Sequence, residues 1–225
     1  MLDLGTGAFS RLRRHVDYDR LGAVVISHMH ADHFIDLIPL RYALRYGVRP
    51  RARKLPVYLP PGGLAILRRL VSAFPPEGGD FLDDAFSLAE YDPARPLALN
   101  GATIRFAHTA HYIPAFAMRW QRGRASVTYS ADTAPDPRVV ALARETDVFV
   151  CEATLRHGTV ETGQRGHSSA ADAAAMAREA GVRRLLLTHY PAEATARDLD
   201  EAARPIFPGE IIVADDHATL ELDGG

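Results

Sequence analysis

Four side chains that can bind a metal ion fall within six residues, in the run His28-Met29-His30-Ala31-Asp32-His33. Imidazole nitrogens and carboxylate oxygens suit Zn²⁺, and they also bind iron and manganese. The run follows the apolar stretch 23–26, which we interpret as a strand whose end lets side chains converge outside a sheet. Three imidazoles and a carboxylate exceed what one tetrahedral ion with bound water requires, so the cluster indicates two ions. The alternative is a solvated polar loop.

Further candidate ligands lie at the ends of predicted strands farther along the chain. They are His111, after the strand predicted over 102–107, Asp132, after 126–130, and His189, after 184–188. His108 competes with His111, because both follow the same strand. Taken alone, Asp132 and His189 have a plain alternative interpretation as turn residues at strand ends.

The motifs around these residues resemble, in their order, those of the metallo-β-lactamase superfamily, and most closely its tRNase Z-like branch of phosphodiesterases. They are Leu2-Asp3-Leu4-Gly5, the His28–His33 run, His111-Tyr112-Ile113-Pro114-Ala115-Phe116, Tyr129-Ser130-Ala131-Asp132-Thr133, Gly166-His167-Ser168-Ser169 and Leu186-Leu187-Thr188-His189. The resemblance extends over residues 2–222. It implies an αββα sandwich, in which two mixed β-sheets face each other between outer helices, with metals at one open edge. Such a fold does not by itself define the substrate.

The resemblance also implies a metal site with two divalent ions. Zinc is the expected metal, with manganese or iron as alternatives. His28, His30 and His111 would bind one ion, Asp32, His33 and His189 the other, and Asp132 would bridge them. The family pattern favours His111 over His108, because only His111 is followed by Pro-Ala-Phe. Two such ions, about 3.5–4 Å apart, can activate water and stabilise a phosphoryl displacement.

His167 is the candidate general acid. The leaving group of a phosphodiester is an alkoxide that needs a proton, and an imidazolium can supply it. Glu152, after the strand predicted over 147–151, could orient His167 as a carboxylate partner. Asp32 could hydrogen-bond the attacking water as well as bind metal. The alternatives are a helix-start histidine bonded to backbone for His167 and a surface salt bridge for Glu152.

These residues predict a dinuclear metal-dependent hydrolase of phosphodiester bonds. Only twenty residues separate His111 from Asp132, which leaves no room for the long arm with which tRNase Z enzymes grip tRNA. The predicted substrates are therefore an RNA 3′ end or, closer to the short relatives, a small or cyclic nucleotide. The enzyme alternative is hydrolysis of a lactone, thioester or β-lactam by the same metals. The non-enzyme alternative is a truncated metal-binding remnant.

A basic stripe is a second candidate for contact with phosphate. Arg41, Arg45 and Arg49 recur every four residues, in a segment, 41–54, that contains no acid. On one helix they would form a single face close to the His28–His33 run. The alternative is an ordinary solvated basic surface.

The composition is that of an ordinary globular chain. Its 225 residues are 47% hydrophobic and 24% charged, which at roughly 150 residues per domain favours one domain over residues 1–225. The net charge of −2 gives no general attraction to nucleic acid or membrane, and no apolar run approaches the roughly 18 residues of a membrane span. The single cysteine, Cys151, excludes an internal disulfide and is expected to pack as a small apolar residue. The N-terminal residues do not have the pattern of a signal peptide, so a cytoplasmic protein is expected.

The elements that must position these residues follow from apolar runs and helical periodicity. Strands are predicted over 23–27, 55–59, 86–91, 102–107, 115–120, 126–130, 147–151, 184–188, 210–214 and 218–222, and helices over 39–46, 63–73, 137–145, 169–180 and 194–203. Ser169 and Asp172 predict a capping box, and Gly123 a hairpin turn within 121–124. Met1-Leu2-Asp3-Leu4 resembles the tail of a strand whose beginning is missing. We therefore expect the first sheet to have an unpaired edge there, or a homodimer contact.

Overall fold

The computed structural model describes residues 1–48, 51, 53–74, 81–156, 159, 161 and 163–222. The chain forms two compact units, Met1–Asp92 and Pro93–Gly225. Each unit combines one β-sheet with helices, so the predicted mixed α/β class with two sheets is confirmed. The single domain over residues 1–225 stays a prediction.

The first unit is built on a three-stranded parallel sheet in the order β1-β2-β3. Its strands are β1 (Val24–Val25), β2 (Leu55–Leu59) and β3 (Phe86–Glu90), and its helices are α1 (Ala8–Leu12), α2 (Ala31–Phe34), α3 (Leu37–Tyr46) and α4 (Gly63–Val71). Apolar side chains of α3, α4 and the sheet, such as Leu40, Leu67 and Leu55, form one buried core. This core fixes the end of β1, from which the His28–His33 run continues.

The outer side of β1 carries the N-terminal segment rather than a full strand. Leu2 forms a single parallel bridge with Val25, and the Met1 amino group donates to the Ala23 carbonyl at 3.0 Å. Within the described part of the chain no further strand pairs on this side of the sheet. The expectation of an unpaired edge or a homodimer contact there stays a prediction.

The second unit is built on a seven-stranded sheet in the order β10-β9-β8-β7-β6-β5-β4. Its strands are β4 (Leu97–Leu99), β5 (Ala102–His108), β6 (Phe116–Arg122), β7 (Ala125–Tyr129), β8 (Val148–Glu152), β9 (Arg184–Thr188) and β10 (Glu210–Val213), and its helices are α5 (Pro137–Ala143), α6 (Ala170–Ala180) and α7 (Ala196–Ala203). Strands β4 to β7 are antiparallel neighbours, whereas β7 to β10 run parallel. Consequently β5, β7, β8 and β9 all end at the same edge of the sheet.

The capping box and the hairpin turn predicted from the sequence are both confirmed in the second unit. Ser169 and Asp172 form the capping box of α6, and Gly181 ends that helix in the left-handed conformation at φ 65°. Gly123, at φ 57°, makes the turn of the β6–β7 hairpin. The strand predicted over 218–222 is wrong: the chain leaves the sheet after β10 and turns at His217, whose φ is 73°.

Arg41, the first residue of the basic stripe, is not on the solvent-exposed face that its spacing suggests. Arg41 is 1% exposed and donates two hydrogen bonds to Asp84, at 3.1 Å from Nε and 2.6 Å from Nη2. Arg45 lies 3.3 Å from the same carboxylate. Arg49 lies outside the described residues. Arg41 therefore forms a buried structural ion pair with Asp84, and phosphate contact by Arg41 is excluded.

None of the helices in the described ranges is long and apolar enough to cross a membrane.

Cys151, on β8, is fully buried in the core between the sheet and its helices. Because burial disfavours the thiolate, it raises the pKa of the Cys151 thiol. We expect native protein to resist a thiol reagent such as 5,5′-dithiobis(2-nitrobenzoate), whereas protein unfolded in guanidinium chloride reacts completely. Labelling of native protein as fast as unfolded protein would contradict this burial.

Candidate metal centre

The His28–His33 run follows the end of β1 after Ile26 and Ser27 and enters α2. His30 is the N-cap of α2, so Asp32 and His33 occupy its first turn. The Nε2 atom of His28 lies 3.2 Å from Nδ1 of His30, and Nε2 of His33 lies 3.6 Å from a carboxylate oxygen of Asp32. His28 and His33 are buried, whereas the Asp32 side chain is 56% exposed. The strand end thus collects all four predicted ligands of this unit into one cluster.

Asp3 fixes this cluster from behind. Its carboxylate accepts the Ser27 backbone N–H at 2.6 Å, the Ser27 hydroxyl at 2.7 Å and the His33 Nδ1–H at 2.8 Å. Since the Ser27 hydroxyl proton goes to Asp3, the Ser27 oxygen accepts from Nδ1 of His28 at 3.0 Å. Both imidazoles therefore carry their proton on Nδ1 and present a lone pair at Nε2, the form that binds a metal.

The Asp3 segment approaches the ligand loop so closely that only glycine fits next to it. A Cβ atom on Gly5 would lie 1.6 Å from the backbone oxygen of Asp32. Asp3 itself has φ 53°, in the left-handed region that aspartate and asparagine tolerate better than most residues.

We expect Asp3→Asn to lower the free energy of unfolding by about 1.5–3 kcal/mol, the usual cost of losing charged hydrogen bonds at a buried site. Asparagine keeps the size and the backbone tolerance of aspartate but cannot accept all three donors. Urea denaturation measures the change, and Asp83→Asn, at an exposed position, is the control with an expected change within about 0.5 kcal/mol. An unchanged stability in Asp3→Asn would mean that the charge of Asp3 does not hold the loop.

The second cluster lies at the common edge where β5, β7, β8 and β9 end. The two carboxylate oxygens of Asp132 face different imidazoles: one lies 3.8 Å from Nε2 of His111 and the other 3.7 Å from Nε2 of His189. Ala131 and His189 both have φ 52°, an uncommon conformation for residues other than glycine. Such backbone strain concentrates at functional sites.

The hydrogen bonds of the second cluster set the same tautomer as in the first. Nδ1 of His111 donates to the Gly166 carbonyl at 2.8 Å. The Thr154 hydroxyl donates to the His189 carbonyl at 2.9 Å, so its oxygen accepts from Nδ1 of His189 at 2.8 Å. Both Nε2 lone pairs are thereby left facing Asp132. His108, in contrast, is exposed and packs its ring on Phe116, with centroids 4.4 Å apart.

His167 lies beside this cluster and is bonded to Glu152. Its Nδ1 lies 3.0 Å from a carboxylate oxygen of Glu152, which also accepts the Thr133 backbone N–H at 2.6 Å. Glu152 is 1% exposed, so the pair is not a surface salt bridge. The ligand atoms of Asp132, His167 and His189 lie within 4.8 Å of one another. Burial lowers the pKa of His167, but the hydrogen bond and charge of Glu152, with Asp132 and Glu161, raise that pKa overall.

The chemistry of both clusters fits a divalent cation. Zinc–nitrogen bonds of 2.0–2.1 Å place neighbouring ligand atoms of a tetrahedral ion roughly 3.3 Å apart. Within each cluster, the paired ligand atoms lie 3.2–3.8 Å apart, and the unprotonated Nε2 atoms of His28, His33, His111 and His189 face these neighbours. Sequence reasoning missed Thr154, whose hydroxyl orients His189, and Glu161, which contacts the His167 loop.

The fold and these clusters define a metallo-hydrolase. Residues 2–190 match the sequence profile of the Beta-lactamase superfamily domain. The chain belongs to this superfamily, as the motifs predict.

Similar proteins include a probable metallo-hydrolase of Bacillus subtilis and a protein of Mycobacterium tuberculosis. The chain is 29% identical over 216 residues to the probable metallo-hydrolase YhfI of Bacillus subtilis, covering 95% of this chain and 84% of YhfI. The crystal structure of YhfI superposes with a TM-score of 0.84 over 96% of this chain and 84% of that one. Rv1339 of Mycobacterium tuberculosis is 35% identical over 214 residues, 94% of this chain and 77% of Rv1339.

A ribonuclease Z is also among the relatives. The enzyme of Ignicoccus hospitalis is 29% identical over an alignment of 269 residues, covering 92% of this chain and 84% of the enzyme. The predicted kinship with the tRNase Z-like branch is confirmed.

Proposed function

We propose that the protein is a metal-dependent phosphodiesterase that acts on an RNA 3′ end or on a small or cyclic nucleotide. The observation that carries this proposal is the hydrogen bond of His167 to the buried carboxylate of Glu152, beside Asp132 and His189. An alkoxide leaving from phosphorus needs a proton donor, and a histidine held by a buried carboxylate is suited to this task. The kinship with a ribonuclease Z supports the same class of substrate.

For the metal, we propose that the two clusters act together on a pair of divalent cations, zinc with manganese or iron as substitutes. His28, His30 and His111 would hold one cation, Asp32, His33 and His189 the other, and Asp132 both. When bound, such a pair lowers the pKa of water and neutralises charge that develops on the phosphate oxygens. The orientation of the Asp132 oxygens toward two different imidazoles supports its role as the shared ligand.

The remaining roles belong to protein side chains. Glu152 accepts the Nδ1–H of His167 and so directs the other ring nitrogen away from the buried carboxylate. His167 holds a proton on that nitrogen and gives it to the leaving oxygen. Asp32, exposed at the start of α2, accepts a hydrogen bond from the attacking water.

A side-by-side turnover assay tests this function. The substrates are bis(p-nitrophenyl) phosphate, cyclic AMP, a 3′-extended tRNA, an acyl-lactone and a β-lactam, with metal content measured on the same sample. We expect turnover of the phosphodiesters, and comparison of cyclic AMP with tRNA then assigns the substrate size. Turnover of only the lactone or the β-lactam would overturn the proposal. No turnover, with less than about one ion per chain after addition of Zn²⁺ or Mn²⁺, would identify a non-enzymatic remnant.

A further inference from the structure

The loop that carries His167 is tied down by Glu161, a residue outside the family motifs. One carboxylate oxygen of Glu161 accepts the Tyr112 hydroxyl. The other accepts the backbone N–H groups of Gly166 at 3.1 Å and His167 at 3.3 Å. Tyr112 directly follows His111 in the chain, so this contact connects the His167 loop to the segment that carries a proposed metal ligand.

The peptide bond between Gly166 and His167 is held at both of its polar groups. Its N–H donates to Glu161, while its carbonyl accepts Nδ1–H of His111 at 2.8 Å. The Tyr112 ring covers this peptide so closely that a Cβ on Gly166 would lie 2.4 Å from the ring. The same ring lies 5.6 Å from the His167 ring and 4.9 Å from the His111 ring, measured between centroids.

We propose that Glu161 and Tyr112 are positioning residues that set the His167 ring for proton transfer, an inference that rests on the proposed function. Neither acts on the substrate. Glu161 fixes the backbone from which His167 projects, Tyr112 fixes Glu161, and Glu152 then fixes the rotation of the ring. A general acid must be placed within a fraction of an ångström of its productive geometry, and a loop residue reaches that precision only when its backbone is bonded in this way.

The role predicts a selective kinetic effect. p-Nitrophenoxide leaves as a stable anion and needs no proton, whereas the ribose oxygen of cyclic AMP leaves as an alkoxide and does. In Glu161→Ala and Tyr112→Phe we expect kcat for cyclic AMP to fall by about tenfold, the low end of effects seen for outer supporting groups, with KM little changed. Turnover of bis(p-nitrophenyl) phosphate should stay within about twofold of wild type, because metal-site chemistry is intact.

Two comparisons separate positioning from general damage. Glu193→Ala removes a carboxylate that pairs with Arg156 on the surface, and it should leave turnover of both substrates unaffected. Combining Glu161→Ala with His167→Ala should cost no more than His167→Ala alone, because Glu161 acts only through His167. Equal losses on both substrates, or a further loss in the double variant, would overturn the inference.

Amide hydrogen exchange tests the same contact without relying on turnover. In full-length Glu161→Ala, which removes the acceptor of both N–H groups, the amides of Gly166 and His167 should exchange at least about tenfold faster than in wild type, while the α6 amide of Ala177 is unchanged. Unchanged exchange at Gly166 and His167 would overturn the inference even if hydrolysis is normal. Absence of any phosphodiester turnover in wild type would instead overturn the proposed function and the catalytic part of this inference, and exchange would then report only on the Glu161 contact.

Discussion

In Asp132→Asn we expect hydrolytic turnover to fall by more than about 100-fold and most of the bound metal to be lost. This loss is larger than the roughly 10–100-fold that is typical of residues that only support the metal ligands. Asp132 is 2% exposed, and each of its oxygens faces a different imidazole Nε2. Asparagine keeps the volume but removes the negative charge and replaces one oxygen with an NH₂ group, which cannot bind a cation. Metal content by mass spectrometry and turnover of bis(p-nitrophenyl) phosphate measure the two losses.

Asp136→Asn is the matched control. Asp136 is also buried, but it caps α5 by accepting the Arg138 backbone N–H at 2.8 Å, a role that asparagine performs about equally well. Metal content and turnover should therefore match wild type. If Asp132→Asn retained its metal and its activity, the proposal that this carboxylate is the shared ligand would be wrong.

His167→Ala is expected to lower turnover of cyclic AMP by about 10²–10⁴-fold, the range of general acid catalysis, and to affect bis(p-nitrophenyl) phosphate far less. The difference follows from the leaving groups, because only the alkoxide requires the proton that His167 would hold against Glu152. Metal content should not change, since His167 is not among the seven proposed ligands. The measurement is kcat for both substrates on samples of equal metal content.

His108→Ala is the control for His167→Ala, because His108 is an exposed histidine that packs on Phe116. It should retain turnover on both substrates. Full turnover of cyclic AMP by His167→Ala would remove the proton-donor role and favour a hydrolase of lactones, thioesters or β-lactams.

Strands with a clear apolar signal are predictable from the sequence, whereas the short edge strand β4 is not. The ranges 55–59 and 184–188 are predicted to the residue, because both strands lie inside a sheet and bury alternate side chains. β4, in contrast, is a three-residue strand at the sheet edge with half-exposed side chains, so it leaves little pattern to detect. The wrong strand at 218–222 shows the converse: alternation alone does not place a segment in a sheet.

The predicted ligand residues are recognisable because their types and their positions after strands already limit their chemistry. The groups that orient them are harder to predict, since the fold brings them from distant positions. Thr154 meets His189 from 35 positions away, and Glu161 meets Tyr112 from 49 positions away. No local spacing connects such partners. Arg41 illustrates the same limit, because only the tertiary structure brings Asp84 to it and removes it from solvent.

The topology of the seven-stranded sheet also has a consequence for how this protein folds. His111, Asp132, Glu152 and His189 follow or end four different strands, two of which, β8 and β9, have only parallel neighbours. Parallel pairing joins distant parts of the chain, and the loop-closure entropy of such contacts makes them slow to form. We therefore expect the cluster to form only after strands β5 to β9 have paired, so that recovery of metal affinity after dilution from denaturant would report on late folding events.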